Sequence, residues 1–468
     1  MKKSISVLTL LIITSLLLLP LGWKTASADM PDVQSESGIH YVMPNAEGDC
    51  SSWEAACDLQ FALSLAEAGD QIWVAAGTYK PTTDTDRLAT FQLESGVAIY
   101  GGFAGAETSL TERDWETNIT TLNGDIGTLD DSADNSYHVV TGSGVDETAI
   151  LDGFTITAGN ANAEPSPHTF GGGMYTFVGN PTLNNLIFNA NHAQYGAGMY
   201  NAIANPTVTN VIFSANIVPE NGAGGGINNY YSDPTITNAT FSENTALWGG
   251  GIYNFNSSPE LTNVTFSVNT AYFYNYGRGA GIYNDHSNPI LLNATFSGNN
   301  ARYGGGIFNT EYSNSVLTNV TFTGNTADLS YSNGGGISNM NHSNVTIVNS
   351  IFWGNLPDQV SKDHLSTATV TYSVIQGDSI YPGEGNINAD PMLQPLADNG
   401  GFTLTHALGA GSPAIDAGNP DPATCPYKDQ RGFPRPVDGD GDGVATCDIG
   451  AFEYEPLNQI FLPLIMRN

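Results

Sequence analysis

Residues 224–244 read GGGINNYYSDPTITNATFSEN and residues 249–269 read GGGIYNFNSSPELTNVTFSVN. Aligned, they agree at Ile227/Ile252, Asn229/Asn254, Ile236/Leu261, Asn238/Asn263, Phe241/Phe266 and Asn244/Asn269. The same frame opens at Gly171, Gly196, Gly224, Gly249, Gly279, Gly304 and Gly334, giving units of 25 to 30 residues. A fixed period of this size marks a stacked array, in which each unit buries its apolar face only against its neighbours. The length differences fall between the asparagine of Phe-x-x-Asn and the next glycine run, as at 217–223 and 270–278, so loops should emerge along one side.

Within a unit the apolar residues alternate at strand spacing, and the richness in Gly, Thr and Asn argues against a helical pair. Leu183 and Asn185 share one strand face, and Leu186 and Phe188 can join that face only if the chain bends at Asn185. Asparagine tolerates the left-handed backbone a sharp corner needs. Stacked at ~4.8 Å, its amides can also hydrogen-bond along the array. The column Asn185, Asn210, Asn238, Asn263, Asn293, Asn319, Asn349 is therefore read as a structural ladder. Four of these asparagines open Asn-x-Thr glycosylation patterns, and as corner residues they are expected to stay unmodified. The column from Ile187 to Ile351 should face outward. The expected class is all-β: a right-handed parallel β-helix solenoid with an N-terminal helical cap and a small C-terminal loop-rich domain.

The paired GG(G/A)I and FxxN tetrapeptides, from about Gly171 to Asn355, resemble the repeats of the polymorphic outer-membrane protein family and of right-handed β-helix proteins with a pectate-lyase-like fold. That resemblance implies a fold and leaves function open, since the fold hosts lyases, hydrolases, adhesins and passive surface proteins. Further on, the segments Asp398–His406, Gly411–Gly418, Asp429–Gly432 and Asp448–Glu453 are similar to the choice-of-anchor Q domain, which implies display on an exported protein. The expected organisation is a signal peptide at 1–28, a cap and irregular early coils at 29–170, and regular repeats at 171–389. A choice-of-anchor Q-like domain at 390–456 and a short apolar tail at 457–468 complete it. A helix spanning Ser52 to Ala68 is expected to cover the open end of the stack.

Lys2 and Lys3, the apolar run Val7 to Leu21 and Ala26-Ser27-Ala28 follow the order of a secretory signal, and the run is short for a membrane span. The protein is thus expected to be secreted or on the cell surface, with no integral membrane segment in the mature chain, and monomeric. Cys50/Cys57 and Cys425/Cys447 form two local pairs, read as disulfides of an oxidising compartment, with metal ligation the competing reading. The formal charge is −33, and between Asp114 and Ser361 the only cationic side chains are Arg278 and Arg302. Phosphate backbones need clustered Lys and Arg, so nucleic acid is excluded as a partner.

Three groups could carry chemistry. Asp438-Gly-Asp440-Gly-Asp442-Gly resembles the opening of a calcium loop, with Asp448 or Glu453 standing in for the absent final ligand; Ca²⁺ is the expected cofactor, and a solvated acidic turn the competing reading. Asp285, His286, Glu311 and His342 fall at neighbouring offsets in three consecutive coils, either a catalytic cluster or a solvated polar patch. Tyr175, Tyr200, Tyr253, Tyr283 and Phe308 form a column expected to face out, suited to stacking on neutral sugars or merely to shielding strands. Together these point to a non-catalytic secreted or cell-surface protein, adhesin-like or binding extracellular glycans or other cell surfaces. The alternative is a carbohydrate-active enzyme, a polysaccharide lyase or glycoside hydrolase of the same fold.

Overall fold

The computed structural model describes residues 38–219, 221–271, 276–328 and 333–456. The expected signal peptide and apolar tail lie outside them. The chain winds into a parallel β-solenoid of about 11 turns. One long sheet of 17 strands runs the length of the stack and a second of 10 strands faces it; short two-residue strands such as Thr245–Ala246, Thr270–Ala271 and Asn300–Ala301 close the third side.

Register follows the sequence columns. Leu183 pairs with Val208, and the series continues through Ile236, Leu261, Leu291, Leu317 and Ile347. In the second sheet Met174, Met199, Ile227, Ile252, Ile282, Ile307 and Ile337 align in the same way. Because identical residues lie over one another, Phe188 to Phe352 stack ring on ring at centroid spacings of 4.4 to 4.9 Å. One apolar core runs from Val42 to Ile375.

All seven corner asparagines have positive φ, between 50° and 56°. Asn210, Asn238, Asn263 and Asn293 each donate Nδ2 to Oδ1 of the preceding member at 3.0 to 3.2 Å. Two further ladders are fully buried. Asn201, Asn229, Asn254, Asn284, Asn309 and Asn339 are linked at 2.7 to 2.9 Å, and Asn191 to Asn355 at 2.8 to 3.1 Å. The glycine run turns the chain into the second sheet. Gly249 has φ +64°, and a Cβ on Gly251 would lie 2.6 Å from the Gly281 carbonyl and 2.8 Å from the Phe266 ring.

The N-terminal cap differs from the single helix expected. It is a 3-10 turn, Trp53–Ala55, followed by a short α-helix, Leu59–Leu65. The break lies at Cys57, which is drawn into the first coil by a bridge to Val42 and by the Cys50–Cys57 disulfide, so a new helix must start at the Asp58 N-cap. Leu59 and Ala62 bury against the end of the core, as a cap must.

The outward column also differs. Ile187, Ile212 and Thr240 are half-buried, whereas Thr265, Thr295, Thr321 and Ile351 are fully buried. Residues after Asp390 fold back along the flank of the solenoid and cover them. Thr265 Oγ1 donates to Leu404 O at 2.7 Å, Thr295 Oγ1 to Gln430 Oε1 at 2.7 Å, and Ala451 N to Thr321 Oγ1 at 3.1 Å. Ile351 and Val374 share a second core with Leu408, Ala414, Ile415, Ile449 and Phe452. The Cys425–Cys447 disulfide closes this segment.

Candidate functional site

The second sheet carries an aromatic cleft of about 580 Å³. In its floor Tyr175 pairs with Tyr200, Tyr200 with Asn228 and Asn228 with Tyr253. One wall is the column immediately before the glycine run, where Phe170 and Tyr195 are followed by Ala223 and Trp248. The other wall comes from the strand ends Phe177, Ala202, Tyr230 and Phe255, with the rings of Tyr230 and Phe255 stacked at 5.4 Å. The coil starting at Gly224 therefore has a small residue, Ala223, in the wall and an amide, Asn228, in the floor, where its neighbours have rings. That substitution digs the notch. Asn228 Nδ2 donates to Ala223 O at 3.2 Å. Burial pushes the phenols of Tyr200 and Tyr253 well above the usual range, so both stay neutral donors. None of the residues lining the cleft is charged.

The expected aromatic stripe is thus shortened. Tyr175, Tyr200 and Tyr253 reach the cleft, but Tyr283 and Phe308 are only 6% and 1% exposed. Trp248 and Tyr303 lean over them, and the Arg278 guanidinium sits 5.2 Å above the Phe308 ring. Phe170, Tyr195, Tyr230 and Phe255 were missed by the sequence reading; the aromatic residue just ahead of several glycine runs was the available signal.

Asp285 ends a strand and is half-buried, and His286, Glu311 and His342 follow in the adjoining turns of three successive coils. His286 Nδ1 lies 2.6 Å from Asp285 Oδ1, Asn341 Nδ2 donates to Glu311 Oε1 at 2.7 Å, and His342 stacks on Tyr312 at 4.9 Å. Asp285 stands directly beside Phe255 in register, at the rim of the cleft. Arg302 pairs instead with Asp328 at 3.8 Å.

In the acidic loop, Asp438 and Asp440 meet a third carboxylate, Asp416, with one oxygen of each within 4.8 Å of the others. Asp442 lies outside this group and accepts from Val444 N. Asp448, the expected fourth ligand, is fully buried and accepts from Asp416 N and Tyr454 N. Burial and the neighbouring charge of Glu453 push its carboxyl up to about 8, and burial likewise raises Glu453, which pairs with buried Arg435 at 2.8 Å. Asp448 is a structural acid, its two oxygens taken by backbone amides, and it is not part of the Asp416–Asp438–Asp440 group. Hard carboxylate oxygens at Asp416, Asp438 and Asp440 fit a calcium ion better than the set first expected.

No helix among the described residues is long and apolar enough to cross a membrane. By architecture the chain is a parallel β-helix repeat protein of the all-β class. More particularly, residues 238–254 and 319–340 match the Chlamydia polymorphic membrane protein repeat. The crystal structure of pectate lyase Pel9A is similar at TM-score 0.50 and 16% identity, covering 90% of this chain and 97% of that one. A rhamnogalacturonan lyase matches at TM-score 0.38 and 12% identity over 80% of this chain and 96% of its own. An alginate lyase matches at 0.35 and 13% over 90% and 59%. These likenesses concern the fold. None of the curated proteins matches the sequence.

Proposed function

We propose that this chain is an exported, non-catalytic surface protein that binds neutral glycans through the aromatic cleft on its second sheet. The observation that carries the reading is a cleft floored by Tyr175, Tyr200 and Tyr253, walled by Phe170, Tyr195, Tyr230 and Phe255, and lined by no charge. Aromatic faces stack on the apolar faces of sugar rings, and neutral phenols supply hydroxyl contacts without repelling or attracting an ion. Uronate polymers would meet a chain of net charge −33 with no cation in the cleft. The two disulfides and the likeness to a membrane-protein repeat support a location outside the cytoplasm. On this reading the C-terminal segment, with its resemblance to choice-of-anchor Q domains, serves display, and Ca²⁺ at Asp416, Asp438 and Asp440 steadies its outer loop.

A glycan array probed with the full chain is the test. Neutral oligosaccharides should give signals that Tyr253→Ala and Phe255→Ala reduce at least about tenfold, the loss of one stacked contact, while the circular dichroism of the folded solenoid is kept. Signals unchanged by both substitutions would remove the reading. The position of Asp285 beside Phe255 favours a second reading, a carbohydrate-active enzyme using Asp285, His286 and Glu311 at the rim. Release of reducing or unsaturated sugars that Asp285→Asn abolishes would establish it instead.

A further inference from the structure

The corner that follows the second sheet has the same backbone in six successive coils. Gly144, Val178, Ile203, Tyr231, Asn256 and His286 lie over one another, each donating its backbone N–H to the next coil at 3.0 to 3.1 Å. All six have positive φ, +79° at Gly144 and +47° to +53° at the others. Glycine adopts this left-handed backbone freely, and Asn and His take it more readily than most residues. For β-branched residues it is rare and unfavourable, so Val178 and Ile203 are poorly suited to the position. Burial does not explain them either, because Val178, Ile203 and Tyr231 are 50%, 56% and 51% exposed. Apolar side chains held on a strained backbone and left facing water mark a surface with a use.

The three apolar corners belong to the coils that carry Phe177, Ala202 and Tyr230, three of the four strand ends walling the aromatic cleft. Ile203 itself lines the cleft beside Phe177 and Tyr230. The Tyr231 ring stands edge-on to Tyr230 at 4.7 Å and to Phe255 at 5.8 Å. Val178 carries the ridge one coil further, directly after the exposed Phe177. One coil before Val178 the corner is Gly144, and past Tyr231 it turns polar at Asn256 and His286. The apolar ridge is thus confined to the rim of the cleft.

We propose that this ridge makes the cleft selective for glycans whose sugars present methyl groups, as 6-deoxy or acetylated residues do. The inference rests on the reading of the cleft as a neutral-glycan site and names the sugars it takes. The aromatic faces of the floor accept a sugar ring whatever its substituents. The side chains of Val178 and Ile203 offer no hydrogen bond, so a hydroxyl pressed against them gives up its water unpaired. A methyl group in the same place gives up only apolar hydration and gains by it, about fourfold in affinity for each one buried. The lack of any charge among the residues lining the cleft suits such a ligand.

The experiment measures binding of the full chain to neutral oligosaccharide pairs matched except for a methyl group. Chains ending in L-fucose are set against the same chains ending in L-galactose, and acetylated against deacetylated xylan. The parent should prefer the methyl-bearing member of at least one pair by about fourfold or more, and the pair that shows it separates a 6-deoxy from an acetyl source. Ile203→Asn and Val178→Asn give the corner the residue type it carries at Asn256. They should bring that ratio close to one while the melting temperature is kept or raised. Tyr253→Ala should weaken both members alike. Glycan binding with no preference between members, a preference untouched by both corner substitutions, or a melting temperature lowered by both would overturn the proposal and leave the cleft reading standing. No binding to any neutral glycan would overturn both. Binding to phosphatidylcholine vesicles that Ile203→Asn abolishes would overturn it in favour of a lipid surface.

Discussion

Asn254 spends both ends of its amide inside the solenoid, accepting from Asn229 and donating to Asn284 at 2.9 Å each. Replacing it with leucine leaves one buried donor and one buried acceptor unpaired, so Asn254→Leu should cost about 2–5 kcal/mol. A urea midpoint unchanged from the parent would show that the ladder adds no stability. Asn263 is different, because it combines positive φ with the ladder. Asn263→Gly keeps the corner and should cost less than Asn263→Ala, which also pays about 1 kcal/mol for the left-handed backbone. Both positions were legible in the sequence because a column of one residue type advertises its own stacking. Asp448 was not legible. The spacing of a calcium loop points to it, but the backbone amides of Asp416 and Tyr454 claim it only once the chain has folded, and the Asp416 carboxylate takes its place from outside the motif.

Strands and turns were read well where alternation and period agreed, and less well where neighbours intervene. The continuous helix expected over Ser52–Ala68 breaks because Cys57 must enter the first coil, a tertiary demand that local propensity does not register. The aromatic column reaches the surface in part at Tyr175 and Tyr253, but at Tyr283 and Phe308 side chains from the preceding corner close over it. Phe266 stacks at 4.7 and 4.6 Å on Phe241 and Phe296, with no exposed surface. Phe266→Ala should therefore cost about 3–5 kcal/mol by denaturant unfolding, near the top of the range for core truncation, since rigid coils on both sides cannot collapse into the gap. A loss below about 1 kcal/mol would mean the stack is looser than its spacing indicates.

For the molecule as a whole, the segment after Asp390 changes what kind of object the solenoid is. Its acid cluster also makes that segment pH-sensitive. The Asp448 carboxyl, ordinarily near 3.8, is raised to about 8 when folded, so between those values the folded state holds a proton the unfolded chain releases. The associated stability is complete below about pH 4 and is lost as pH rises toward 8. Hydrogen exchange corrected for intrinsic rate should therefore quicken in residues 429–454 between pH 5 and 8.5, while 183–213 stays unchanged. Equal protection at both values would contradict the buried-acid assignment. Nothing in the sequence showed that the Thr265-to-Ile351 column would be covered, because outward alternation looks the same whether it meets water or a returning chain.

A simple solenoid transmits tension from coil to coil and frays from whichever end is pulled. Here the hydrogen bonds that Leu404 and Gln430 accept from Thr265 and Thr295, and that Ala451 donates to Thr321, fasten the returning segment to three separate coils. A pull at residue 456 loads those fastenings sideways, in shear and simultaneously, before any strand can peel. Like a splint along a spring, the segment moves the weakest point away from the tethered end, so under load the unbraced early coils should yield first.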